Sequence, residues 1–349
     1  NIQLLKDKGN FGTRFEPDAS APRYIFTFGT DEFFELFNKA DSSVIIPQYF
    51  EGAKIEPQFY VPTLPLLVLN GSKGVSSGFA QVILPRKRQE VIKYIKQFLK
   101  HRKLPELKPF YDGFKGDIVQ GENTQQWKIQ GSFKRLGINR IEIAEVPIGY
   151  NLKSYLKVLD DLEDKKIIVS YKDKSEEDSF SFEVKVTSKT LSAWTDEDIL
   201  DKLKLVKTVS ENYTVIDEHN TIKEYDCIED VLNNYIRVKL EYTQKRIDYL
   251  NIELQKEINI DKSKMIFIQH IIESKLIINK RKKVDIIKDL DVIDGIIKKD
   301  ESYDYLLNMN IVSLTSERLI KLQNDISSKE SELRRLQTIT PSDMWEKEL

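Results

Sequence analysis

Between Ile228 and Leu276 the chain carries neither glycine nor proline, and its apolar residues return at steps of three and four. An unbroken run of this kind predicts a single helix, on the order of 70 Å long at 1.5 Å per residue. A helix of that length extends beyond any one compact domain and needs a partner along its apolar stripe. The stretch "SERLIKLQNDISSKESELRRLQ" supplies one, because Leu319, Leu322, Ile326, Leu333 and Leu336 keep a heptad-like stripe broken only by Lys329. Residues 277–315, lying between the two, suffice for a small helical knob. The spacing therefore predicts an antiparallel coiled coil over 226–349 with the knob at its turn, an arrangement suited to a lever or gate.

The remainder of the chain reads differently. From 49 to 225 short β-rich runs recur, punctuated by prolines and glycines as far as Gly149, among them "RIEIAEVPIG", "KKIIVSYKD" and "FSFEVKVT", the last with the two-residue alternation of a half-buried strand. A mixed α/β domain is expected there. Residues 1–48 predict a small α/β piece in which Asp31 caps an amphipathic helix "EFFELFNKA", with Phe33, Phe34 and Phe37 on one face. With 349 residues there is chain enough for two or three cores, and the fold class expected is α+β, multidomain.

Composition narrows the function. Charged residues make up 32%, which suits long solvated helices, yet the formal net charge is only −2. Any surface for a polyanion must then be a local patch offset elsewhere. The single cysteine, Cys227, excludes an intramolecular disulfide and argues against a structural zinc site. No apolar run reaches the length of a membrane helix, so no membrane partner is expected. The first residue is Asn1 rather than Met, which suggests a sequence that starts inside a longer polypeptide.

The stretch "GNFGTRFEPDASAPRYIFTFGTDEF" sets a tyrosine directly after an arginine, behind a loop of small and kinking residues. Tyrosine is a weak nucleophile near neutrality because its pKa is about 10, so a catalytic tyrosine needs a neighbouring cation or metal. Arg23 is such a cation beside Tyr24; a strand-start tyrosine packing its ring is the structural alternative. The segment "GNFGTR…ASAPRYIFT" resembles the active-site loop in the breakage–reunion region of type IIA DNA topoisomerases. So do "FYVPTLPLLVLNGSKGVSSGFAQVILP", "EIAEVPIG", "YDYLLNMNIVSLTSERLIKL" and "TPSDMWEKEL", in order and over nearly the whole chain. "PRYIFT" and "YDYLL" sit closer to the eukaryotic and large-phage members than to bacterial gyrase.

The resemblance implies specific roles. Tyr24 would attack a DNA phosphate and hold the 5′ end, with Arg23 stabilising charge on the phosphoryl oxygens. Ala19, Ser20 and Ala21, with Pro22 fixing the backbone, would let the loop approach DNA. Ile83 would be the apolar wedge that bends the cut segment. Arg14, Ser72, Lys73, Arg86 and Lys87 would contact DNA, with Arg88 in the same basic run. A buried strand residue is the alternative for Ile83, and a solvated turn for the basic run. Asn70, Gly71 and Gly74 shape the loop. The family architecture implied is a partial winged-helix domain over 1–48, a tower domain over 49–225 and a coiled-coil dimerisation domain over 226–349.

The same resemblance implies an ATP-dependent type II topoisomerase acting on double-stranded DNA as a homodimer through its helical knob, in the cytoplasm of a prokaryote or infected host or in a nucleus. Mg2+ and ATP would be bound by TOPRIM and ATPase modules outside this chain. Asp289, Asp291 and Asp294 of "DLDVID" read as a solvated helix face, His101, His219 and His270 are isolated, and no phosphate-cradling glycine loop precedes a helix. No metal ligand is therefore expected. A non-enzymatic coiled-coil DNA scaffold is the alternative of a different class.

Overall fold

The computed structural model describes residues 1–310 and 314–349, in two compact units: one of Asn1–Asn38, Phe59–Lys239 and Leu349, the other of Lys39–Gln58 and Leu240–Glu348. These units cut across the boundaries at 48 and 225 suggested by sequence texture. Residues 311–313, inside the "YDYLL…LIKL" segment, lie outside the described residues. The fold is mixed α/β.

The larger unit is built from small antiparallel sheets. Strands Leu5–Lys8 and Phe26–Gly29 pair on either side of the tyrosine loop. Strands Ser72–Ser76 and Phe79–Ile83 form a hairpin, and Val82 bridges to Asn212. A three-stranded sheet runs Val206–Ser210, Gln126–Gln130, Asp117–Gln120, and a four-stranded one Ser170–Asp173, Phe182–Lys185, Arg140–Glu145, Ser132–Arg135. The alternation read in "FSFEVKVT" is present: Phe180, Phe182, Val184 and Val186 are all buried. They pack with Ile141 and Ile143 against Tyr155, Leu159 and Leu162 of helix Leu152–Asp164, whose start is fixed by a reciprocal Asn151/Ser154 capping box.

The first helix, Asp31–Leu36, is capped by Thr30 and not by Asp31: Thr30 Oγ1 accepts the Phe33 N–H at 3.1 Å. Asp31 occupies the first turn, where its charge favours the helix dipole. Leu36 is the buried residue of this helix, whereas Phe34 is 63% exposed.

The long helix is Ile228–Ile272. It stops at Ile272, four residues before Leu276, because Ser274 turns left-handed (φ 58°), after which Leu276 folds into the knob core. Within the smaller unit the return helix Ser316–Thr338 packs antiparallel to it, with Ile258, Ile326 and Leu333 in one apolar cluster. The break in the stripe has a partner: Lys329 bonds Glu257 at 2.8 Å and Asp261 at 2.9 Å. The knob core is Phe267, Leu276, Ile286, Leu290, Ile296, Tyr303 and Leu306. Arg246, 1% exposed, joins Asp41 at 3.1 Å to Glu348 at 2.6 Å.

Candidate functional site

The tyrosine loop is closed by its own polar groups before it meets anything else. Asn10 accepts the Gly12 N–H at 2.7 Å and donates to the Asp18 carbonyl at 3.2 Å, while the Ser20 N–H returns to the Asn10 carbonyl at 2.9 Å. Thr13 Oγ1 accepts from the N–H groups of Phe15 and Glu16. The two glycines of "GNFG" are spatial requirements. A Cβ on Gly12 (φ 80°) would stand 2.8 Å from the Pro17 carbonyl oxygen, and one on Gly9 (φ 99°) 2.9 Å from the Tyr24 carbonyl oxygen.

Pro22–Tyr24 form one 3-10 turn, with the Tyr24 N–H donating to the Ala21 carbonyl at 2.9 Å. Pro22 presets that turn. The side chain of Tyr24 points outward, 65% exposed, and the guanidinium of Arg23 stands 4.9 Å from its ring centroid. A free phenol, an adjacent cation and a backbone held from both sides are thus brought together. The strand that follows is not buried: Phe26 is 57% and Phe28 49% exposed.

The hairpin presents a second set of groups. Paired residues share a face, so Lys73, opposite Val82, and Val75, opposite Ala80, point the same way. Lys73 is exposed and Val75 is 84% exposed, near the Ser77-Gly78 turn. Ile83 lies on the other face at the root, opposite Ser72, and is 2% exposed.

The family model for the A subunit of DNA gyrase/topoisomerase IV matches residues 1–349. The chain belongs to this family. Within it, the chain is 31% identical to DNA topoisomerase 2 of Plasmodium falciparum over all of this chain and 28% of that protein. It is 30% identical to the DNA topoisomerase medium subunit of phage T4, over 95% of this chain and 74% of the phage protein. The crystal structure of the Plasmodium falciparum topoisomerase II DNA-binding, cleavage and re-ligation domain superimposes with a TM-score of 0.88 at 31% identity, covering all of this chain and 51% of that one. The chain thus spans about a quarter of the eukaryotic relatives it matches. These likenesses do not favour the non-enzymatic scaffold.

This member of the gyrase/topoisomerase IV family departs from the expected interface at three positions. Ile83 is enclosed in the hairpin root and cannot act as a wedge from there. Arg86, 1% exposed, spends its fork on Glu211 at 2.8 and 3.0 Å, so it faces no phosphate. Arg14 is committed as well: it donates to the Tyr150 carbonyl at 3.1 Å, to Glu145 at 2.9 Å and to the Val146 carbonyl, while its guanidinium lies 4.9 Å from the Phe180 ring. Desolvation lowers its pKa, against the opposing pull of Glu145. Its work is to dock the tyrosine loop. Lys87 lies half-buried 5.4 Å from the Phe110 ring, and Arg88 pairs with Glu32 at the surface.

Sequence reading did not single out the exposed Val75. Among the described residues no cluster of three or more His, Cys, Asp or Glu side chains is placed to hold a metal. Arg281 engages Asp289, and Lys298 and Tyr303 engage Asp291. Among the described residues no helix is long and apolar enough to cross a membrane.

Proposed function

We propose that this chain is the DNA breakage–reunion part of an ATP-dependent type II topoisomerase. The observation that carries this is Tyr24, exposed at the end of a self-bonded loop with Arg23 beside its ring. The Tyr24 oxygen attacks a backbone phosphorus, forming a phenolic O–P bond as the bond to the 3′ oxygen breaks. The phenolic proton passes to solvent, and the departing 3′ oxygen takes up a proton to leave as a hydroxyl. One phosphodiester replaces another, so resealing is the same step reversed. Arg23 opposes the charge that gathers on the non-bridging oxygens.

Val75 takes the wedge role expected of Ile83: an apolar side chain held away from any core can enter a base step and bend the duplex. Lys73, on the same face, offers a phosphate contact that carries no sequence information; Ser72 and Lys87 remain lesser candidates. The larger unit supplies the winged-helix part and tower, and the helical pair with its knob supplies the homodimer contact, so that two Tyr24 residues cut opposite strands. TOPRIM and ATPase modules outside these residues would hold Mg2+ and ATP. The place of action is a nucleus, or the cytoplasm of a prokaryote or infected host.

The test is Tyr24→Phe in the complete enzyme, incubated with plasmid and stopped with denaturant. Protein attached to 5′ ends should disappear while DNA affinity is retained; covalent adducts persisting in the variant would assign the nucleophile elsewhere.

A further inference from the structure

Glu211 is buried, yet it is the most heavily used acceptor around the hairpin. Its Oε1 accepts the Leu84 N–H at 2.7 Å and Arg86 Nη1 at 3.0 Å; its Oε2 accepts Arg86 Nη2 at 2.8 Å, Trp127 Nε1 at 2.9 Å and the Tyr213 hydroxyl at 2.9 Å. Arg86 in turn donates to the Leu84 carbonyl at 2.6 Å and the Leu107 carbonyl at 2.8 Å. A buried carboxylate and guanidinium with every neighbour satisfied form a rigid junction, because withdrawing any partner strands a charge in a dry site.

That junction grips the base of the hairpin. Leu84 and Arg86 directly follow its second strand, the Val82 N–H and carbonyl exchange bonds with Asn212 at 3.0 and 2.9 Å, and Gln81 donates to the Thr214 carbonyl at 2.7 Å. The first strand is held as tightly: a Cβ on Gly71 would stand 2.5 Å from the Ile83 carbonyl oxygen. Beyond Gln81 the grip ends, with Val75 and Phe79 exposed and open space around Gly74 and Gly78. The same root is tied to the strand leading into the tyrosine loop. Asn70 accepts the Ile2 N–H at 2.8 Å and donates to the Ile2 carbonyl at 2.9 Å, and Asn1 donates to the Arg86 and Leu69 carbonyls.

We infer that Glu211 and Arg86 are positioning residues for DNA deformation: they clamp the hairpin root so that the free tip delivers its apolar side chain at a fixed offset from Tyr24. The inference rests on the reading of Val75 as the wedge. It assigns Arg86 a role opposite to phosphate binding, since its effect on DNA passes through Val75.

The experiment uses Arg86→Lys, which keeps the buried charge but cannot fork to both carboxylate oxygens, together with Val75→Ala and the double variant, in the complete enzyme. Tyr213→Phe, removing one bond to Glu211, takes over if Arg86→Lys fails to fold by circular dichroism. End-labelled duplex reports bending by energy transfer, and cleavage is scored beside it. Arg86→Lys should reduce bending and lower cleavage about ten- to a hundredfold, leave affinity and its salt dependence unchanged, and add little in the Val75→Ala background. A salt slope reduced by about one would make Arg86 a phosphate contact and overturn the inference. So would additive losses in the double variant, or unaltered bending in the folded root variant while Val75→Ala bends less. If Val75→Ala itself bends DNA normally, the wedge reading fails, and the inference with it.

Discussion

At the scale of single residues, the chemistry depends on how little room the tyrosine loop leaves. Gly9→Ala would place a methyl 2.8 Å from Ile25 Cγ2 and 2.9 Å from the Tyr24 carbonyl oxygen, at a φ of 99° that alanine resists. We expect cleavage to fall on the order of a hundredfold, as misplacement by about an ångström does elsewhere, with duplex affinity unchanged in a binding titration. Gly74, with nothing within 4 Å of an added Cβ, should accept alanine in the same assay. Arg14→Met would leave Glu145, 3% exposed, without its cation. Because Arg14 is itself partly solvated, we expect a loss of about 2 kcal/mol, read by thermal denaturation. Arg14 and Arg86 mark where the sequence stopped being readable. An arginine near a glycine-rich loop looks like a phosphate ligand until its carboxylate is known, and Glu211 lies 125 positions from Arg86 along the chain. Ile83 failed for a different reason: in a hairpin, one step of register exchanges the buried face for the exposed one.

Among the elements, the helical pair was the most legible, because a period near 3.6 over many turns is a strong signal and breakers are rare. What the pattern could not show is why its apolar stripe tolerates Lys329. Asp261 answers that. Desolvation pushes its carboxyl up, but hydrogen bonds and charge from Lys264 and Lys329 outweigh it, and its pKa lies below the ordinary aspartate value. An acid held low in the folded state contributes stability above its unfolded pKa and loses it as pH falls through the folded one. The helical pair should therefore weaken below about pH 4, where an unperturbed aspartate titrates. Lys329→Met should cost about 1–2 kcal/mol at neutral pH and remove part of that acid sensitivity, both measurable by urea unfolding across pH. Replacing Asp261 and Lys329 together by leucine should restore stability and abolish that part of the pH dependence. A smaller element, the knob, divides its apolar residues between core and surface. Tyr303 and Leu306 fill its core, while Val284 and Val292 are 63% and 85% exposed. If the knob is the homodimer contact, Val284→Asp with Val292→Asp should raise the dimer dissociation constant in sedimentation equilibrium and abolish strand passage, with cleavage partly retained. Tyr303→Ala should instead unfold the knob.

For the molecule as a whole, residues 39–58 belong to the smaller unit although they sit far in sequence from the helices they join. Nothing local in "KADSSVIIPQYFEGAKIEPQ" announces a partner, since the decisive contact is made by Arg246, 205 positions from Asp41. That contact also sets an order of events at the ribosome. The smaller unit is interrupted by residues 59–239, so residues 39–58 emerge long before Leu240–Glu348 exist to receive them. At ordinary elongation rates of about 5–20 residues per second, the wait is on the order of ten to forty seconds. During that interval Asp41 has no arginine. Nascent chains arrested near residue 239 should therefore be cut by protease within 39–58, and chains arrested after residue 349 has cleared the exit tunnel should resist. The helices of Leu240–Glu348 must be made before this early segment finds its place.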